Sequence, residues 1–373
     1  MTLFERATEL SEVGAGIQLG PNVTRLLNGW GLERELKEVA AFPPHLQVRD
    51  AISGRELGVL RLGDTARQRY GAPYATVHRA DLHCLLLGAV QQRTRAELRV
   101  GCSLTGFTET SRGVTAQAAG RVAVEGDVLL GADGLWSSVR AHLLHDGPPR
   151  VTGHLAYRAL VPQTALPASR RSLHVTVWLG PDLHLVQYPV RGGEWLNVVG
   201  IVHTDLAAAT DSADGAGDDP ENWDQLTTAT RLRAALAGTC PPLQDLVHAI
   251  PAWRRWVLHD RAPMSGPHQM VRGRVALLGD AAHPMRPYLA QGAGMALEDA
   301  AELGVLLAQE GVDVHQALRT YAERRWQRNA RVQARALRNG RIFHARGLVR
   351  IGRDAALKVF GERLLDLPWL YRY

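Results

Sequence analysis

The chain has 373 residues, 46% of them apolar and 21% charged, with a formal net charge of +6. At roughly 100–200 residues per domain, this length predicts two or three domains, or one large domain carrying an insert. The composition excludes a mainly disordered chain, and 37 glycines without a three-residue period exclude collagen. Nothing approaches the ~18 uninterrupted apolar residues of a membrane-spanning helix. Met1-Thr2-Leu3-Phe4-Glu5-Arg6 lacks the basic-then-apolar pattern of a secretory signal. Cys84, Cys102 and Cys240 are far apart with no C-x-x-C pair, which argues against a disulfide framework or a zinc site. The expectation is a soluble, cytoplasmic protein that binds no membrane.

In chain order, residues 1–6 read as a short strand ending in Glu5, and residues 22–39 as a helix. Weak alternation over 45–62, with Ser53-Gly54 as the turn, predicts strands. Residues 80–92 form a helix with Leu82, Leu85, Leu86 and Ala89 on one face. Strands follow near 97–110 and 113–125. The apolar run 128–131 leads into Ala132-Asp133-Gly134 and a helix containing Val139. Residues 174–179, 184–190 and 195–202 are β-rich, punctuated by Gly180-Pro181-Asp182 and Arg191-Gly192-Gly193, and predict an antiparallel meander. Residues 207–220 read as a small acidic loop, and 222–236 and 243–248 as helices. A buried strand at 275–278 ends in Gly279-Asp280, and long helices fill 292–310 and 314–346. Sheet elements at both ends with an antiparallel insert predict an α/β (α+β) fold: a Rossmann-like nucleotide-binding domain interrupted by a substrate domain and followed by C-terminal helices.

Only Lys37 and Lys358 of the 43 basic residues are lysine, a skew that suits genomic base composition. Residues 319–354 carry eleven arginines against Glu323 and Asp354. A basic helical stretch can mark a nucleic-acid footprint. Here apolar residues such as Leu318, Trp326, Val332 and Phe343 interleave it, so it reads as the solvated face of a C-terminal helix, with no nucleic-acid partner.

The most informative segment runs from Arg274 through Gly279-Asp280 to Gly292-Ala293-Gly294. An apolar strand stopping at Gly-Asp places a carboxylate at a strand's C-terminal edge, where open α/β sheets bind ligands. Asp280 can accept a hydrogen bond from a ribityl or ribose hydroxyl. Gly292-Ala293-Gly294 then opens a helix whose positive end suits an anionic or electron-accepting ring.

With these residues the chain resembles the group A flavin-dependent aromatic hydroxylases, the salicylate hydroxylase-like and 3-hydroxybenzoate 6-hydroxylase-like monooxygenases. Their "GD" signature matches at Gly279-Asp280. Their D-G-x-x-S-x-x-R signature matches at Asp133, Gly134, Ser137 and Arg140. Two further matches are His78-Arg79-Ala80-Asp81, where the family arginine reaches the flavin and its diphosphate, and residues 12–22 around Gly14-Ala15-Gly16. The resemblance implies bound FAD, with Glu5 on the adenosine ribose and Arg79, Asp133, Asp280 and Gly292-Ala293-Gly294 on the cofactor. It also implies NADH or NADPH as transient reductant, a flavin hydroperoxide, and O₂ and a small phenolic acid-like aromatic as substrates; a homodimer remains open. The implied division is a FAD-binding domain at 1–45, 76–150 and 263–310, substrate-domain strands at 46–75, an antiparallel substrate domain at 151–262 and a helical region at 311–373.

The family opens with a strand, G-x-G-x-x-G and a helix that hold the dinucleotide diphosphate. This chain starts at what resembles the second strand. Gly14, Gly16 and Gly20 are a tempting substitute, but Glu9-Leu10-Ser11-Glu12 is no buried strand, and the cluster matches the family's later loop near the flavin ring. By this resemblance about 25–30 residues precede Met1 in relatives, and a start codon placed too far downstream is the favoured explanation. The missing strand would sit in mid-sheet, so its loss would uncover apolar neighbours.

On the substrate side, positions 184, 186 and 188 share one face of a strand. His184 and Tyr188 match a His and a Tyr, four apart, that line the pocket of the 3-hydroxybenzoate 6-hydroxylase-like members. An imidazole could deprotonate a phenol there; a strand histidine beside a packed tyrosine explains the pair equally well. Arg158, after Tyr157, could meet a substrate carboxylate or lie on the surface. Pro287 stands before Tyr288 where those members carry a glutamine, and Pro284 and Pro287 resemble the proline-rich loop beside the flavin. Trp178, Trp195 and Trp253 fit either a substrate wall or an ordinary core, and a core is the expectation. The competing readings are a monooxygenase of a non-phenolic secondary metabolite and a truncated, non-catalytic flavoprotein relic or interaction module.

Overall fold

The computed structural model describes residues 1–10, 15–118, 123–204, 225–311 and 313–372. Two apolar runs far apart in sequence become neighbouring strands: Leu129–Gly131 pairs in parallel with Val275–Leu277, Gly131 opposite Leu277. Val275, Ala276 and Leu277 are fully buried because both faces of this short sheet are covered. Val275 and Leu277 pack with Val139 and Leu143 of the helix Ser138–Leu144. Ala276 packs on the other side with Leu303 and Leu306 of the helix Gly292–Leu307 and with Leu318 and Tyr321 of the helix Val314–Phe343. These elements belong to a unit made of Met1–Glu12, His83–Arg150 and His259–Leu337.

In the same unit Thr2–Phe4 pairs in parallel with Glu97–Arg99. The parallel strands form two separate sheets, Thr2–Phe4 with Glu97–Arg99, and Leu129–Gly131 with Val275–Leu277 and the antiparallel Val271–Arg272. Leu3 and Leu130 are left 45% and 37% exposed. A third, antiparallel sheet joins Leu104–Glu109, Val114–Ala118 and Val124–Gly126.

The second unit comprises Val13–Leu82, Val151–Leu258 and Arg338–Tyr373. Its main sheet has eight strands, in the order Gln225–Thr227, Trp253–Asp260, Arg150–Pro162, Trp195–His203, Leu183–Val190, Val175–Gly180, His45–Asp50, Glu56–Arg61. Strand alternation sorts its residues cleanly. Leu155, Tyr157, Trp178, Leu185, Val198 and Trp253 enter one core with Leu232 and Leu243 from the helices Thr230–Ala235 and Pro241–His248. On the opposite face Val48, Val177 and Leu179 are covered by Leu357 of the helix Gly347–Leu365. A small sheet of Gly16–Leu19, Ala75–His78 and Ala40–Ala41 completes the unit.

The fold is therefore the expected α/β arrangement with an antiparallel insert, and it departs from the sequence reading in detail. The helix expected over 22–39 is two helices, Pro21–Gly29 and Glu33–Val39, broken at Gly31 with φ +70°. Residues 97–110 split into two strands of different sheets. Within 222–236 the strand Gln225–Thr227 precedes a helix of only Thr230–Ala235; residues 222–224, the loop 207–220 and residues 12–14 of the glycine match lie outside the described residues. The arginine-rich stretch is not simply a solvated face. Arg325 is fully buried and Arg353 is 8% exposed, and Arg350 donates to Asp50 at 2.9 Å.

Candidate functional site

At the edge where the two paired strands end, their signatures meet. Gly131 has no room for a side chain, since a Cβ would sit 2.8 Å from both Leu277 and Val139. Asp133, two residues on, accepts hydrogen bonds from Ser137 Oγ (2.5 Å), Ser138 Oγ (3.1 Å) and Val139 N (3.1 Å). It thus organises the start of the helix Ser138–Leu144, whose N-cap is Ser137. Arg140 is 4% exposed. It donates to the carbonyls of Ala281 (3.0 Å) and Ala282 (2.6 Å) and forms an ion pair with Asp146 (2.6 Å). The arginine of one signature therefore fixes the loop of the other.

Gly279 takes a positive φ of +58°, and a Cβ there would lie 3.1 Å from Ala296. Its N–H donates to Asp299 at 3.1 Å. Asp280 is exposed at the turn. The helix Gly292–Leu307 begins with Gly292, Ala293 and Gly294, without a side-chain cap or an acidic residue in its first turn. Its N-terminal N–H donors and positive end suit an electron-accepting ring, and the Asp280 carboxylate suits a ribityl hydroxyl. A Cβ at Gly292 would stand 3.9 Å from Asp280 Oδ1. This donor and acceptor set fits a flavin. Glu5 follows Thr2–Phe4, and its carboxylate accepts from Ala7 N at 2.8 Å. Pro287 is exposed, whereas Tyr288 is 3% exposed and burial pushes its phenol above the ordinary range.

Beneath the loop lies a buried polar network that sequence reading missed. His283 Nε2 and Asp299 Oδ2 are 2.5 Å apart, both fully buried. Arg325 donates to Asp299 (2.8 Å) and Glu298 (2.8 Å), Arg328 to Glu298 (2.6 Å), and Asn329 to Asp299 (3.1 Å). Burial alone would raise the Asp299 carboxyl, but His283 and Arg325 outweigh it and hold it at about 2. The signal was present in the run Leu297-Glu298-Asp299, one helix face below the GD turn, but its partners are a helix away in sequence.

In the antiparallel unit, Arg79 is exposed at the start of the helix Arg79–Arg93, and its N–H donates to Ala15 O at 2.7 Å. Cross-strand register places Arg158 opposite Val199, which is opposite Val186, and places His184 opposite Ile201 and Tyr188 opposite Asn197. Arg158, His184 and Tyr188 thus share one face, turned from the Leu155–Trp253 core. Arg158 is 2% exposed and stacks its guanidinium 5.4 Å from the Trp256 ring. Tyr188 is 4% exposed and packs under Gly16, where a Cβ would lie 2.5 Å from the Tyr188 ring and 2.8 Å from Asn197. Asn197 Oδ1 accepts from Gly16 N at 2.8 Å. His184 is 3% exposed, and burial, followed by the charge of His154, lowers its imidazole from 6.5 to about 3. Its Nδ1 lies 2.7 Å from Nε2 of His344, a partner that no spacing in the sequence announced. Trp178 and Trp253 belong to the core.

The family model described as "FAD binding domain" matches residues 1–336. A 3-hydroxybenzoate 6-hydroxylase of Polaromonas naphthalenivorans is 36% identical over 373 residues, covering 99% of this chain and 89% of that protein. A 3-amino-4-hydroxybenzoate 2-monooxygenase of Streptomyces platensis is 36% identical over 373 residues, covering 100% of this chain and 89% of its own. A solved salicylate hydroxylase substrate complex superimposes with a TM-score of 0.80 at 26% identity, over 96% of this chain and 88% of that one. The chain belongs to this FAD-binding family of flavin-dependent aromatic hydroxylases. It is a FAD-dependent monooxygenase with NAD(P)H as reductant.

Proposed function

We propose that the substrate is a small phenol bearing a carboxylate, held on the sheet face that carries Arg158, His184 and Tyr188. The single observation behind this reading is the cross-strand register that groups a cation, an imidazole and a phenol around Val186 and Val199. Arg158 supplies charge for the carboxylate, Tyr188 positions the ring, and His184 accepts the phenolic proton, because a phenolate is the more nucleophilic form. FAD would be held by Asp280 and the Gly292-Ala293-Gly294 helix start, by Glu5, and by the loop that Asp133 braces; when bound and reduced by NADH or NADPH it would supply the activated oxygen derived from O₂. A cytoplasmic location accords with three free cysteines, and a homodimer with the exposed Leu348, Ile351 and Val359 of the helix Gly347–Leu365.

The test is NAD(P)H oxidation by the FAD-loaded protein across hydroxybenzoates, amino-hydroxybenzoates and non-phenolic aromatics, with product mass analysis. Phenolic acids should stimulate oxidation and gain one oxygen atom. His184→Ala should slow hydroxylation by about 10²–10⁴-fold at unchanged flavin content. Stimulation by non-phenolic compounds alone, or equal rates in both proteins, overturns the assignment.

A further inference from the structure

Four histidines gather in the antiparallel unit around the end of the strand Leu183–Val190. His184 touches His344 through Nδ1 and Nε2 at 2.7 Å, and Phe343 meets the His184 ring edge-on at 5.3 Å. His344 directly follows the helix Val314–Phe343 and is held by backbone on both sides: its N–H donates to Gly340 O at 3.1 Å, and its carbonyl accepts from Asp182 N at 3.3 Å. His154, on Arg150–Pro162, lies 5.2 Å from the His344 ring and donates Nδ1–H to Thr152 O at 2.9 Å. His203 lies 5.1 Å from His154. The charged groups at this end include Asp182, in the turn before Leu183–Val190, and Arg346, which form an ion pair, and Arg353, which donates to the carbonyls of Ile342 (3.1 Å) and Phe343 (2.8 Å) and pairs with Asp354.

Two imidazole nitrogens 2.7 Å apart share one proton, with one ring donating and the other accepting. His184 is 3% exposed, whereas His344 is half-buried and His203 exposed. The pair therefore runs from the interior toward water. We propose that His344 is a positioning residue and the second member of a proton relay that carries the substrate's hydroxyl proton from His184 toward solvent. The inference rests on the reading of His184 as the base.

The step balances without any further reagent. The phenol O–H bond breaks and an N–H bond forms at Nε2 of His184, while the Nδ1–H bond of His184 breaks and an N–H bond forms at Nε2 of His344. The phenolate keeps the electron pair, and the positive charge rests on His344, which releases its Nδ1 proton to water. Burial supports this division of labour: an imidazole held at about 3 is a poor final resting place for a phenol's proton. A neighbour nearer water relieves it of the charge.

The experiment compares wild type with His344→Gln, His344→Ala and His184→Asn in the FAD-loaded full chain. Histidine ring ¹⁵N–¹H spectra come first and need no turnover. Wild type should show a low-field proton shared by two imidazoles that is absent from both His344→Gln and His184→Asn; its absence from wild type overturns the pair. Kinetics follow with 3-hydroxybenzoate as probe, or with the most active phenolic acid if that one is not turned over. Glutamine at 344 can hold His184 by a hydrogen bond but cannot pass a proton on. His344→Gln should therefore lower kcat by about 10–100-fold below pH 7 at unchanged KM and flavin content, with recovery as pH approaches the phenol's own ionisation. Added imidazole should restore part of the rate to His344→Ala. A wild-type pH profile in His344→Gln beside a slowed His184→Asn overturns the relay and leaves the base intact. Wild-type rates in both overturn the base and the relay together.

Discussion

Burial favours the neutral imidazole of His184 in the folded chain. In the unfolded chain its imidazole titrates near 6.5, and in the folded chain burial holds it at about 3. Between those values the unfolded state binds a proton that the folded state refuses, so stability falls as pH drops from 6.5 toward 3. The full difference amounts to about 4–5 kcal/mol at pH 3, of which about 2–3 kcal/mol is lost by pH 4.5. His184→Gln should therefore flatten the acid limb in urea denaturation measured from pH 7 to pH 4.5; parallel curves for the two proteins would refute the burial argument. The sequence alone carried half of this residue's situation. Period-two alternation placed 184, 186 and 188 on one face, which the register confirms. It could not place His344 against His184, because that contact joins a strand to the end of a helix far along the chain, and no local pattern encodes such a meeting. Arg158 shows the same limit: its strand face was legible, but its burial against Trp256 was not.

At the scale of elements, the GD turn is held from two sides. Arg140 reaches the carbonyls after it, and Asp299 takes the Gly279 N–H before it. The sequence motifs were readable because each is local, a strand end followed by a helix start. Their joining was unreadable, because it depends on two strands pairing in parallel and on a helix lying beneath. This also explains why the arginine-rich stretch misled. Charge composition describes solvated side chains well, but Arg325 is neutralised inside by Glu298 and Asp299 and so escapes that rule. Asp299→Asn would leave Arg325 and His283 without the anion they share, and should cost about 3–5 kcal/mol in chemical denaturation. The same change should speed FAD dissociation, followed by the recovery of flavin fluorescence, because the turn that carries Asp280 loses its anchor. A variant as stable as wild type would show that the network is dispensable. The acid dependence separates the two sites: Asp299, held at about 2 against an ordinary 3.8, contributes stability above pH 3.8 that is lost only as pH falls toward 2, below most of the His184 window.

In the unit made of Met1–Glu12, His83–Arg150 and His259–Leu337, the parallel strands form two separate sheets, with Leu3 and Leu130 exposed. Relatives aligned over nearly this entire chain extend beyond it, since it covers 89% of the Polaromonas protein. Cofactor binding is a measurable property of the folded chain. A ligand that binds only the folded state raises stability by RT ln(1 + [L]/Kd), about 2.7 kcal/mol at a hundred times Kd. With about 2.1 cal/mol/K of unfolding entropy per residue, this corresponds to an upward shift in Tm of about 3 °C. In the proposed function Asp280 and Gly292-Ala293-Gly294 would recognise a ring and its ribityl chain, and Glu5 the adenosine end. Riboflavin and FMN, which lack the adenosine, should therefore each raise Tm, and FAD should raise it most. Asp280 is exposed, so Asp280→Ala should leave the ligand-free Tm within about 1 °C of wild type, as surface substitutions generally do, while shrinking the shift from all three flavins. If riboflavin gave no shift while FAD gave the full one, the grip would lie at the adenosine end; an Asp280→Ala protein with undiminished shifts would remove that carboxylate from the cofactor site.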